Sequence, residues 1–392
     1  MKTKLNVSMV KEQNRRLVFE EIASHAPTTR LSIARNTHLS VGTVTTIVEE
    51  LIELGIIREV KDTRSIVGRK PNRVEFLPKT KKILCIDMAT REPACSLKDL
   101  ALVTETSFTC RTGNTEPYEA YVRHFLEDIR RRFLSVETEG QLIGIGVSVP
   151  GPYKADEDRV SCKLIPEINE LKIGHLLREY FDRLILIDHD VKLAASSEVR
   201  LIPDYDRKTI LYLYLDEGVG SAISINGTIF GGAHEFAGEI GQMVIEGTGN
   251  LEQQVSWNTF LSGINVSKTS AEERDETLIL KSLRERYESG DYILHEELEH
   301  ITGRVARALA NIICVLNPHA IIVSGRYKIF GQQFVRQLQE KTEVYLLSEM
   351  KKDLTFHLSS YLEKGPLIGA ASLVRSYWLK SNNLLNKEVQ SL

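Results

Sequence analysis

The chain has 392 residues, of which 42% are hydrophobic and 26% charged, with a formal net charge of −3. That length accommodates two or three domains and a substantial core. No secretory leader and no apolar run of membrane-spanning length appears, which sets the expectation of a cytoplasmic protein. The five cysteines, Cys85, Cys95, Cys110, Cys162 and Cys314, are scattered and lack CxxC spacing. They read as buried thiols in a reducing compartment, not as a disulfide or metal framework.

The charge is unevenly spread. Residues 1–78 carry 13 Lys and Arg against 9 Asp and Glu, whereas the rest of the chain is acidic. A basic head on an acidic body suits an anion-binding module joined to a larger domain. In the head, a first helix is expected over 9–25, with Val10, Leu17, Val18 and Ile22 inward and Lys11, Arg15 and Arg16 outward. Thr29 can cap a short second helix through about Asn36. A third helix follows the turn at His38-Leu39, with Ser40 as its cap and Gly55 as its stop. Val41, Val44, Ile47, Val48, Leu51 and Leu54 recur at helical spacing and predict one buried stripe.

The first turns of that helix present Gly42, Thr43, Thr45 and Thr46 beside Ser40. Small hydrogen-bonding side chains let a helix lie close to base edges in a major groove. Two short strands, Ile56–Val60 and Arg73–Leu77, then flank a basic loop with Arg64 and Gly68-Arg69-Lys70-Pro71. Arg69, Lys70 and Arg73 can meet phosphates or a narrow minor groove. The arrangement predicts a winged helix-turn-helix that binds double-stranded DNA.

Beyond the polar joint at 78–82, apolar strands alternate with helices and end in polar turns, an α/β pattern. Strands are expected at Ile83–Asp87, within Gln141–Pro152, at Leu184–Asp188 and at Ile210–Leu215. A helix is expected at Leu193–Arg200, a hairpin around Asn226-Gly227, and a long helix from about Glu296 to Leu316.

The order of Gly144–Pro152, Asp188-His189-Asp190, Gly218-Val219-Gly220 and Ala237-Gly238-Glu239-Ile240-Gly241-Gln242, followed by Asn317-Pro318 and Gly369-Ala370-Ala371, resembles the ROK family of sugar kinases and sugar-responsive repressors. The resemblance covers essentially the whole chain, and the winged head matches the repressor branch. It implies a two-lobed, actin-like ATPase fold. The corresponding division is a DNA-binding head over 1–78, a first lobe over 83–200, and a second lobe over 201–392 whose C-terminal helices return to the first.

Carried over by position, the resemblance places Asp190 where the kinases hold the base that deprotonates the sugar, a job for a carboxylate within hydrogen-bond reach of a hydroxyl. It implies sugar contacts from Glu239, Glu252 and the backbone of Gly151. His189, Lys192 and Gln242 alter the family's pocket. Lys192 can either receive an anionic group of an effector or pair with a neighbouring carboxylate.

Two departures bear on catalysis. Met88-Ala89-Thr90-Arg91 follows Asp87 without the glycines a phosphate loop needs, and Asp216-Glu217 replaces the Gly-Thr of the second loop. The family's zinc ligands are also missing, with Gln242 in place of the histidine and no cysteine at Glu246–Leu251. The expectation is therefore no kinase activity, no metal and no cofactor, and Asp190 survives only as a vestige of the catalytic base. The whole reads as a sequence-specific transcriptional regulator, a repressor of carbohydrate-metabolism genes, with a sugar or sugar-phosphate effector. A homodimer or dimer of dimers on a palindromic operator is expected, because one recognition helix reads few base pairs. The alternatives are an active carbohydrate kinase that also binds DNA, and a ligand-free DNA-binding scaffold.

Overall fold

A computed structural model describes residues 7–61, 72–110, 117–266, 276–361 and 365–380. It divides into two compact units. One runs up to Asp188 and resumes at Ala370; the other spans His189 to Gly369.

The first unit opens with three helices, α1 (Val7–His25), α2 (Arg30–Thr37) and α3 (Val41–Glu53), and an antiparallel pair, β1 (Ile57–Val60) and β2 (Arg73–Phe76). The expected caps form. Thr29 accepts a hydrogen bond from the amide of Ser32, and Ser40 from that of Thr43. Gly55 takes a left-handed φ of +69°, which ends the helix without a Cβ penalty. Val44, Ile47, Val48 and Leu51 are buried with Val18, Phe19, Ile22, Ile33 and Val74.

Four side-chain assignments in the head differ from expectation. Val10, Leu17 and Val41 are exposed, and Phe19 takes their place in the core. Arg15, expected outward, is 4% exposed. The same core extends to Leu100, Trp378 and Leu379, so long-range packing overrides the local helical pattern.

The first unit continues with β3 (Lys82–Asp87), β4 (Ala94–Asp99), β5 (Thr104–Thr109), α4 (Tyr118–Phe133), α5 (Val136–Gln141) and β6 (Leu142–Val149). After these come a small pair, β7 (Tyr153–Lys154) and β8 (Arg159–Val160), then α6 (Ile173–Tyr180) and β9 (Ile185–His189). The second unit contains α7 (Asp190–Val199), β10 (Thr209–Leu215), β11 (Val219–Ile225), β12 (Thr228–Ile229), α8 (Leu251–Val255), α9 (Trp257–Gly263) and α10 (Glu276–Glu288). It goes on through α11 (Tyr292–Leu316), β13 (Ala320–Ser324), α12 (Gly331–Glu343), α13 (Ser348–Lys351) and β14 (Thr355–Leu358). The last helix, α14 (Gly365–Lys380), starts in the second unit and ends in the first.

Both large sheets repeat one plan. Their strand orders are β5-β4-β3-β6-β9 and β12-β11-β10-β13-β14. In each, a three-stranded antiparallel meander is extended by a fourth strand parallel to the first. This duplication is the two-lobed, actin-like α/β architecture. Asn226 and Gly227 both have positive φ (52° and 74°), the two-residue turn expected between β11 and β12. Helix α7 begins at Asp190, three residues before the expected start at Leu193, which puts that carboxylate in the helix's first turn.

Candidate DNA-reading and effector sites

In the head, the capped end of α3 exposes Ser40, Gly42 and Thr46, with Thr43 and Thr45 half-buried. The Ser40 and Thr43 hydroxyls lie 2.9 Å apart, and Thr46 donates to the Gly42 carbonyl at 3.3 Å. The small face expected there is therefore presented by a rigid, capped turn. Glu49 and Glu50, farther along α3, would repel phosphates if left bare. Glu49 instead meets Arg30 at 3.3 Å, and Glu50 meets Lys11 at 2.8 Å and Arg15 at 2.9 Å. Arg30 also reaches Glu59 of β1 at 2.6 Å, fastening α2 to the strand pair.

Arg73 is exposed at the start of β2; Arg69 and Lys70 lie outside the described residues. Arg35, on the exposed side of α2, was not singled out from the sequence. The element before a recognition helix commonly crosses the DNA backbone, where such a cation meets phosphate.

The second unit gathers most of the expected effector residues. His189 Nε2 lies 3.1 Å from Asp190 Oδ1, and its Nδ1 lies 3.9 Å from Glu239 Oε1. The loop carrying Glu239 is held against β11. Gly238, at φ +96°, accepts the Ser221 amide at 2.9 Å, and a Cβ there would fall 2.2 Å from the Ser221 carbonyl oxygen. Only glycine permits that approach. Burial pushes the Glu239 carboxyl above the usual range, with Glu252 and Asp190 adding to the effect against His189 and Lys192.

Glu252 accepts the Val219 amide at 3.1 Å, so one of its oxygens fastens the start of β11. Lys192 is buried and takes the second of its two expected states. It donates to the Glu235 carbonyl at 2.9 Å and pairs with the Glu235 carboxylate at 2.5 Å. Glu235 escaped the sequence reading because it sits 43 residues away in an irregular loop. Gln242 is exposed and accepts a hydrogen bond from Asn250 at 3.1 Å.

Gly151 belongs to the first unit. It is buried after β6, donates to the Val149 carbonyl at 2.9 Å, and passes so close to Ser161 that a Cβ would lie 2.2 Å from that carbonyl oxygen.

The turn after β10 is closed by charge. Asp216 accepts from Tyr214 at 3.2 Å and from the Glu217 amide at 2.7 Å, and Arg326 approaches Asp216 at 2.5 Å and Glu217 at 3.2 Å. Burial pushes the Asp216 carboxyl up, and Arg326 counters that. The two carboxylates that replace the Gly-Thr of the second phosphate loop are thus tied to the guanidinium of Arg326. Backbone amides of a glycine-rich loop would do the opposite, presenting donors to an anion. Among the described residues, no group of three His, Cys, Asp or Glu side chains is placed to hold a metal.

Comparison with known proteins places this arrangement. A sequence profile of the ROK family matches residues 83–377, and one for winged helix-turn-helix DNA-binding domains matches 11–58. The chain belongs to the ROK family. It is 22% identical over 388 residues to the DNA-binding transcriptional dual regulator NagC of Escherichia coli, covering 94% of each chain. To the xylose repressor of Bacillus subtilis it is 22% identical over 381 residues, covering 95% of this chain and 97% of the repressor. Its fold matches the crystal structure of a ROK family transcriptional regulator, a homologue of E. coli Mlc, with a TM-score of 0.76 over 96% of this chain and 98% of that one, at 18% identity. A ROK glucokinase from Streptomyces griseus matches only the body, with a TM-score of 0.59 over 75% of this chain and 99% of that one, at 17% identity. This ROK chain therefore has a regulator's build: a winged DNA-binding head precedes the sugar-kinase-like body.

Proposed function

We propose that this protein is a sequence-specific transcriptional regulator, a repressor of carbohydrate-metabolism genes, that senses a sugar or sugar derivative through a catalytically inactive ROK body. The observation that carries the reading is the charge-closed β10–β11 turn in a chain with a winged head. Arg326 and Asp216 satisfy one another where a kinase needs free amides for phosphate. The carboxylates of Asp190 and Glu239 then serve as acceptors for sugar hydroxyls, with Glu252 beside them and Gly151, His189, Lys192 and Gln242 shaping the remainder.

In the head, Ser40, Gly42, Thr43, Thr45 and Thr46 face base edges, while Arg69, Lys70 and Arg73 meet the backbone or minor groove. The domains act as a head over 1–78, a first lobe over 83–200 and a second over 201–392 whose C-terminal helices return to the first. Two-fold pairing on a palindromic operator in the cytoplasm supplies the specificity one helix lacks. Regulation is linkage: an effector that prefers one arrangement of the body changes operator affinity, and operator binding changes effector affinity by the same factor.

The test is selection of binding sites from random duplexes, followed by anisotropy titration with and without a panel of neutral, acidic and phosphorylated sugars. Sequence-selective binding whose affinity moves with one sugar is expected. Binding without sequence preference, or indifferent to every sugar, would discard the proposal.

A further inference from the structure

Helices α11 and α12 of the second unit, with Glu246 from the loop before α8, line a groove of about 490 Å³. His300, Arg304 and Arg307 follow one another at helical spacing on α11, and Lys341 faces them from the last turn of α12. Gly303 lies between them. A Cβ there would find its nearest neighbours only at 3.9 Å, on Arg307 and Lys341, so the floor of the groove stays open beneath the cations.

The donors are incompletely used. The Nε of Arg307 is buried and has no hydrogen-bond partner. Its guanidinium is met by Glu246 at 3.0 Å, a carboxylate with 63% of its side chain exposed in an irregular loop. Arg304 makes one long hydrogen bond, 3.3 Å to the Gln254 carbonyl. Lys341 is engaged with the carboxylate and carbonyl of Glu299, which also receives Gln337. A buried donor left unsatisfied is costly, and planar guanidinium groups suit oxyanions that offer paired acceptors.

We propose that this groove is a second ligand site, one that binds the phosphoryl group of a small molecule. The oxyanion displaces the exposed Glu246 from Arg307, takes the orphan Nε–H and the spare donors of Arg304, and gains the field of Lys341. Three fixed positive charges outnumber the two lining carboxylates, and one of those, Glu299, is already held. A phosphate dianion answers that balance better than a single carboxylate. The site shares no residue with the proposed sugar pocket and does not depend on it.

The experiment is calorimetric titration of the full chain at low ionic strength with inorganic phosphate, pyrophosphate and citrate. Phosphate or pyrophosphate should bind, and Arg307→Ala or Lys341→Ala should weaken it by about tenfold or more, as loss of one charge-assisted contact implies. Glu246→Gln should tighten it severalfold, since it frees Arg307; misfolding would not produce that gain. Absence of phosphate binding, binding of citrate alone, or weakening by Glu246→Gln would overturn the site. Phosphate affinity lost in Lys192→Ala but intact in Arg307→Ala would instead place the anion with the effector residues and also overturn it.

Discussion

Arg15 and Glu50, 35 residues apart, meet with the guanidinium 2.9 Å from one carboxylate oxygen. The same guanidinium donates at 2.9 Å to the carbonyl of Leu379, near the C-terminal end of α14. The last carbonyls of a helix have no partner within it, so Arg15 satisfies one of them while bracing the recognition helix. Burial disfavours the charged form of Glu50, but hydrogen bonds from Lys11 and Arg15 outweigh it and hold the carboxyl below the ordinary range.

Arg15→Met should therefore cost about 1.5–3 kcal/mol, the usual range for a hydrogen bond to a charged group. The unfolding transition that includes the head should move down by several degrees in a thermal melt. The pH sign follows from Glu50: its stabilisation is present above the unfolded-state pKa and is lost as pH falls through the lowered folded one. The gap between wild type and variant should narrow in acid. An unchanged melt would show that the contact is not maintained in solution.

Thr45→Ala or Thr46→Ala should change preference among operator variants by about 1–3 kcal/mol at a contacted base pair. Arg35→Ala should weaken binding to all sequences alike and lower the salt slope by about one unit if that cation meets a phosphate. Anisotropy titrations at several salt concentrations separate the two behaviours. Uniform losses in the threonine variants would remove α3 from base reading.

Arg326→Ala leaves the buried Asp216 without its counter-charge, a change that commonly costs about 3–5 kcal/mol. The Asp216 pKa, already raised by burial, rises further in the variant. A raised carboxyl contributes stability that is present at low pH and lost as pH climbs through the folded value. The variant should therefore be markedly unstable at neutral pH and recover in part on mild acidification, as urea unfolding across pH would show. Wild type incubated with ATP, magnesium and hexoses should form no sugar phosphate above background.

Sugar affinity should depend on the protonation of Glu239. Its raised carboxyl takes up a proton at higher pH than an ordinary glutamate, so affinity should fall on acidification sooner than for an unperturbed acceptor. Calorimetry of the sugar found in the screen should show this slope in wild type and lose it in Glu239→Gln. Glu239→Ala should weaken binding by about 1.5–3 kcal/mol at neutral pH. A slope retained in Glu239→Gln would assign the titration to another group.

Thiol reactivity should follow burial. Cys314 is exposed and Cys110 half-buried, whereas burial pushes the Cys85 and Cys95 thiols up to about 12. A thiol so rarely ionised is a poor nucleophile. In native protein a disulfide reagent should label Cys314 first and Cys110 more slowly, and reach Cys85 and Cys95 only after unfolding.

Local sequence determined the winged head and the strand plan. Ser40 and Gly55 mark the ends of a helix whose apolar stripe has one period, and Asn226-Gly227 fixes a two-residue turn by its positive φ preference. These signals lie within a few residues of the structure they specify. The missing phosphate-loop glycines are equally local, because backbone approach to phosphate depends on the absence of a Cβ at those positions. Tertiary structure decided the charges. Periodicity put Arg15 outside and Phe19 nowhere in particular, but packing against Leu100, Trp378 and Leu379 reverses both. Lys192 had two possible partners in the sequence; the fold supplies Glu235. Arg326 reaches Asp216 across 110 residues. Pairings of that range leave no spacing to read, because what selects them is the low dielectric of the interior, which makes an unpartnered charge costly wherever its partner lies in the chain.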